Sequence, residues 1–127
     1  MRVVVLTTDT LHHTFFVESL RKASFEVTVC CEDSVRHPPK FECGHPYEIA
    51  REEHERDRWF NGEVVTLDEM TDVHHCDDVN SHRTIAAIES AKADCIIVFG
   101  TGIIRRPLIS LVEDRIFNLH GGPPEEY

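Results

Sequence analysis

No apolar run in this sequence approaches the roughly 18–20 residues that a membrane-spanning helix needs. The opening stretch MRVVVLTTD has one basic residue and an apolar segment too short for the core of a secretory signal, and it reads better as a first strand. The expected location is therefore the cytoplasm, with no membrane partner. Basic residues are scarce: 13 Lys and Arg stand against 23 Asp and Glu, for a formal net charge of −10. Nucleic-acid affinity comes largely from cations that displace counterions from phosphates, so no nucleic-acid partner is expected. Cysteine is sparse and unpatterned, with five residues and no CxxC. Reduced thiols are the plain reading, with Cys30 and Cys95, both in strand-like apolar runs, as small hydrophobes. Glycine is missing from TTDTLHH, the segment after the first strand. A dinucleotide fingerprint needs glycines there for the backbone to approach a pyrophosphate, and Gly100-Thr101-Gly102 is too short and too late to replace it. No internal repeat or low-complexity tract is present.

What remains is an alternation of strand and helix signals. The length, 127 residues, suits one domain. RVVVLT (2–7) is a β-branched run of the kind buried on both faces of a parallel sheet. Residues 11–23 carry Phe15, Phe16, Leu20 and Ala23 at helical spacing, and FEVTVCC (25–31) is a second strand. Pro38, Pro39, Gly44 and Pro46 mark a loop over 33–47, followed by a helix over 48–60 with Arg51–Glu55 and Glu52–Arg56 ion pairs at i,i+4. Trp59 at its end reads as an anchor. Residues 61–79 are polar, with one short strand expected near Val64–Leu67. A helix over 81–93 is expected to turn Ile85, Ala86, Ile88 and Ala91 inward. ADCIIVFG (93–100) is the strongest strand signal, residues 101–112 hold a short helix, and RIFNLH (115–120) is the last strand. The sum is an α/β fold, a Rossmann-like parallel sheet with helices on both faces, with a loop and helix inserted at about 33–79.

In open parallel sheets, ligands bind beyond the carboxyl ends of the strands. The first strand delivers Thr7, Thr8 and Asp9 there, then His12 and His13 at the start of the following helix. A helix N-terminus flanked by histidines suits a phosphate on a substrate, although two exposed histidines in a turn is the plainer reading. The strand ending at 100 delivers Gly100 and Gly102. The last strand delivers Asn118 and His120, two residues apart and so on one face. HHCDD (74–78) with His82 raises the question of a metal, but adjacent strand histidines point apart and the spacing matches no zinc pattern, so no metal site is expected.

The stretch FGTGIIRRPLISLVEDRIFNLHGGPPEEY (99–127) resembles the catalytic segment of the folate-dependent formyltransferases, among them the sugar N-formyltransferases and methionyl-tRNA formyltransferase. Asn118-Leu119-His120 matches the family's Asn-x-His, and Tyr127 falls at its tyrosine. Gly121 to Glu126 departs from the common Pro-Ser-Leu-Leu-Pro wording. The match covers residues 94–127; before that only the architecture is shared. The resemblance implies catalysis by Asn118 and His120, with 10-formyltetrahydrofolate as the one-carbon donor. Gly100, Gly102, Ile103 and Ile104 would line the pterin pocket, and Asp9, His12, His13 and Tyr127 are the substrate-side candidates. The acceptor would be a primary amine of a small molecule, an amino sugar or nucleotide-linked sugar being favoured, and a homodimer is compatible. The family's catalytic aspartate lies downstream of Tyr127. Residues 1–127 are therefore expected to be the N-terminal part of such a domain, inactive alone. The competing expectation is a non-catalytic ligand-binding or regulatory module that keeps the crevice.

Overall fold

A computed structural model of the chain describes residues 1–33 and 46–120. Its elements run β1 (Arg2–Thr8), α1 (Leu11–Lys22), β2 (Glu26–Glu32), α2 (Pro46–Phe60), α3 (Leu67–Met70), β3 (Asp72–Cys76), α4 (His82–Ala91), β4 (Cys95–Phe99), α5 (Arg106–Ile109) and β5 (Ile116–Leu119). The five strands form one sheet in the order β3-β2-β1-β4-β5. Every described pairing is parallel. The fold is thus Rossmann-like α/β. Most of the expected loop over 33–47 lies outside the described residues.

The central strand explains the architecture. Val3, Val4, Val5 and Leu6 of β1 are all fully buried. Such a strand must be covered on both faces, and its alternating side chains feed two cores. Val4 and Leu6 pack with Cys30, Ile96 and Val98 under Ile88 of α4 and Leu108 of α5. Val3 and Val5 pack with Val29 and Cys31 against Val17 of α1 and Leu67 of α3. Burying each such side chain contributes roughly 1.5–3 kcal/mol, which makes these two layers the main source of stability. Burial also pushes the thiols of Cys30 and Cys31 up to about 12, so they stay protonated and behave as apolar filler.

Several local expectations are corrected. The third strand of the sheet is Asp72–Cys76, and the stretch near Val64–Leu67 is irregular chain entering α3. DVHHC reads as polar because β3 is an edge strand, half covered, and takes its order from pairing with β2. The start of α3 has a plain cause: the Thr66 N–H donates to the Glu69 carboxylate at 3.0 Å, one half of a T-x-x-E capping box. On α1 the fully buried apolar residue is Val17, while Ala23 is exposed at the C-terminal cap. Phe15 sits on the flank and stacks on Trp59 of α2, centroids 4.7 Å apart at 14°. On α4, Ala86 is exposed and Ala87 packs inward beside Ile88. Arg51 and Glu55 do pair, at 3.7 Å.

Candidate functional site

The strand order reverses direction between β1 and β4, and the carboxyl edge at that point is where a parallel sheet opens a crevice. Here one side of the crevice is filled. His13, on the first turn of α1, is 5% exposed, and its ring packs against Phe99 at 4.3 Å and His12 at 4.1 Å. Its Nδ1 lies 2.9 Å from the Thr8 hydroxyl and 3.2 Å from the Thr8 carbonyl. The Thr8 hydroxyl can donate to a bare Nδ1, and the Thr8 carbonyl can accept from a protonated one, so these contacts hold the neutral ring in either tautomer. Burial, with the neighbouring His12, lowers the His13 pKa to about 4, against a weaker raising effect of the Thr8 carbonyl. His12 is also lowered, chiefly by burial, with Glu55 opposing and Arg51 adding. At neutral pH, then, His13 supplies no cation for a phosphate. Asp9 is exposed at the end of β1.

A pH dependence follows. Because the folded-state pKa of His13 is depressed, the unfolded chain takes up the proton first, between pH 6.5 and 4. The neutral ring contributes fully above that window, and stability is lost as pH falls through it. The loss assignable to His13 is about 2 kcal/mol between pH 7 and pH 4.5. Urea unfolding of wild type and His13→Gln at both pH values checks this. The variant should lack that part of the acid loss, and equal losses in the two proteins would show that the ring is not a neutral buried group.

Gly100 closes β4 with φ +83°, a conformation that disfavours any residue with a Cβ, and it lies against His13. A Cβ on Gly100 would come within 2.6 Å of His13 Nε2 and closer still to Cε1. From this turn the segment 100–105 crosses the carboxyl edge and separates two cavities.

The first cavity, of about 650 Å³, lies between this segment and β5. Gly100, Gly102, Ile103 and Ile104 line one side, and Asn118 and His120 line the other. β5 pairs Asn118 with Val98 of β4. That register turns Ile116 toward the core shared with α4 and α5, and period two carries Asn118 to the same face. Both are joined along the cavity by His120, just past the strand end. Phe117 takes the opposite face and is exposed, while Leu119, also exposed, borders the cavity at the strand end. Asn118 and His120 are themselves exposed in the open cavity. The volume is in the range of small-molecule sites, and the wall is mostly apolar with two polar groups on one side. The second cavity, of about 760 Å³, lies over the ends of β1 to β4, with Thr8, Glu32, Asp33, Asp77, Asp78 and Asn80 around it.

The structure therefore brings together Asn118, His120, Gly100, Gly102, Ile103 and Ile104. It does not bring Asp9, His12 or His13 into that cavity. Tyr127 lies outside the described residues. Sequence reasoning missed Glu32 and Asn80, which hold the segment between the cavities. Among the described residues, no helix is long and apolar enough to cross a membrane.

Fold and site together define an open parallel α/β domain with a ligand-sized cavity at its carboxyl edge. No protein-family model matches the chain, and no curated protein sequence matches it.

Proposed function

We propose that this chain contributes the donor and catalytic side of a formyl-transfer site, moving a formyl group from 10-formyltetrahydrofolate to a primary amine of a small molecule. The observation that carries the reading is the convergence of Asn118 and His120 on the same cavity as Gly100, Gly102, Ile103 and Ile104. An amide and an imidazole on one wall suit the chemistry. The amine lone pair attacks the formyl carbon, and the carbonyl oxygen becomes an oxyanion. The Asn118 amide donates to that oxygen, an interaction worth several kcal/mol once the bound ligands displace water from the open cavity. The bond from the formyl carbon to N10 then breaks. His120 takes the proton that the amine loses and returns it to N10, leaving a formamide and tetrahydrofolate. The flat, apolar opposite wall suits a pterin ring, with Gly102 offering bare backbone.

An amino sugar is the favoured acceptor, nucleotide-linked in the strongest version, although a phosphate on it would have to be held without a cation from His13. In this reading the protein works in the cytoplasm.

The test is a titration with 5-formyltetrahydrofolate, a stable analogue of the donor, followed by thermal unfolding. At one hundred times its Kd the analogue should stabilise the chain by about 2.7 kcal/mol. Gly102→Ala separates approach of a ligand from fold. A Cβ there meets only the Glu32 carboxylate, at an ordinary 3.5 Å, and Gly102 has no positive φ. The variant should keep stability within about 1 kcal/mol and bind the analogue more weakly if the pterin lies directly on this stretch of main chain. Full affinity in Gly102→Ala would move the pterin elsewhere. No stabilisation of wild type by the analogue would favour a module that binds some other ligand.

A further inference from the structure

The tip of the segment that walls the first cavity is not held by apolar burial. Gly102 is exposed, and the Ile103 side chain is 85% exposed. A stretch with glycines at 100 and 102 has much backbone freedom to lose when it is fixed. Ile104 behind the tip is half-buried against the core, and the tip itself is fixed by polar groups from elsewhere in the chain. Glu32, at the end of β2, accepts from the Gly102 N–H at 2.8 Å with one carboxylate oxygen. With the other it accepts from the Val79 N–H at 3.1 Å. A single carboxylate thereby ties the β4–α5 segment to the turn before α4. Asn80 grips the same segment at two points, as a neighbouring peptide would. Its Nδ2 donates to the Ile103 carbonyl at 3.0 Å, and its Oδ1 accepts from the Arg105 N–H at 2.7 Å. Asp78 orients Asn80 in turn, accepting from its backbone N–H and its Nδ2, each at 2.8 Å.

We infer that Glu32 and Asn80 are positioning residues. From the second cavity they set the main-chain path of residues 102–105, and with it the shape of the first. The polar groups around the second cavity then have a role that requires no ligand there. In functional terms this rests on the formyl-transfer reading, because it makes Glu32 and Asn80 determinants of donor affinity without contact to the donor. Bonds to a charged acceptor are the stronger kind, so Glu32 should matter at least as much as Asn80.

The test reads amide hydrogen exchange by NMR beside binding of 5-formyltetrahydrofolate. In wild type, the Gly102 and Arg105 amides should exchange at least about tenfold slower than in an unstructured chain, although they lie in an exposed segment. Glu32→Ala should speed exchange at Gly102 and leave Arg105 slow, and Asn80→Ala should do the reverse. General destabilisation would speed both together, so the crossed pattern distinguishes positioning from mere loss of stability. Both variants should weaken analogue binding about 5- to 30-fold, and Glu32→Gln, which keeps one acceptor oxygen, should recover part of it. Should the variants fail to fold, the wild-type amides decide: exchange at unprotected rates overturns the inference. Crossed exchange effects without folate binding by wild type would fell the formyl-transfer reading and leave the positioning role standing. Slow exchange that neither variant changes would fell the positioning role.

Discussion

Gly100→Ala should cost this protein about 2–5 kcal/mol, summing the roughly 1–2 kcal/mol of placing an L-residue in left-handed backbone and the 1–3 kcal/mol typical of overpacking. Both costs have visible causes: φ is +83°, and the added methyl would run into the ring of His13. That ring cannot swing away cheaply, being packed between His12 and Phe99 and hydrogen-bonded to Thr8. A domain of this size has roughly 5–15 kcal/mol in total, so the loss should lower Tm by about 6 °C or more and approach complete unfolding at the upper end. Gly62→Ala is the internal control. Its φ is +80°, but an added Cβ would meet only Asp57 at 3.4 Å, so it should show the backbone cost alone. In the double variant Gly100→Ala/His13→Ala the clash is gone. The two changes should therefore couple favourably by more than about 1 kcal/mol. A cost below about 0.5 kcal/mol for Gly100→Ala would mean that His13 does not occupy the crevice.

If the proposed formyl transfer is this protein's reaction, Asn118→Ala should lower its kcat about 10²- to 10³-fold while KM for the donor changes little, as expected when a donor to a developing oxyanion is removed. Asn118→Asp should be at least as severe, because a carboxylate repels that oxygen. The same substitutions should leave folding almost untouched, within about 0.5 kcal/mol, since Asn118 is exposed on β5 and carries no part of the core. This split is the useful feature. A polar side chain whose loss affects neither stability nor turnover would be an ordinary surface residue, and a kcat within about threefold of wild type would remove Asn118 from the mechanism. His120→Ala should act in the same direction, and the double variant should be no worse than the more damaging single one if the two groups serve one step.

The elements differed in how far they could be read from residues alone. β1 and β4 announced themselves because a strand buried on both faces must be almost wholly apolar, and VVVL and CIIVF are. Asn118 and His120 were also readable, because period two is a local property and assigns both to one face without knowledge of the partner strand. β3 was not. Its DVHHC sequence is polar on an edge strand, and the order it has comes from pairing with β2 across more than forty intervening residues. On α1, Phe16 and Leu20 of the expected stripe do pack against the core, but Val17, which is not part of that stripe, lies deepest, Phe15 leans toward Trp59 and Ala23 is exposed. The Thr66–Glu69 capping signal was present in the sequence and would have replaced the misplaced strand near Val64–Leu67 with a helix start.

The order of strands and helices, the double-sided burial of β1 and the shared face of Asn118 and His120 all follow from interactions between residues a few positions apart. Periodicity and β-branching record such interactions directly. The meeting of His13 with Gly100, the grip of Glu32 on Gly102 and the bonds from Asn80 to Ile103 and Arg105 follow from the strand order β3-β2-β1-β4-β5. These contacts join residues far apart in the chain, and no local pattern encodes which loops will stand side by side once the sheet has closed.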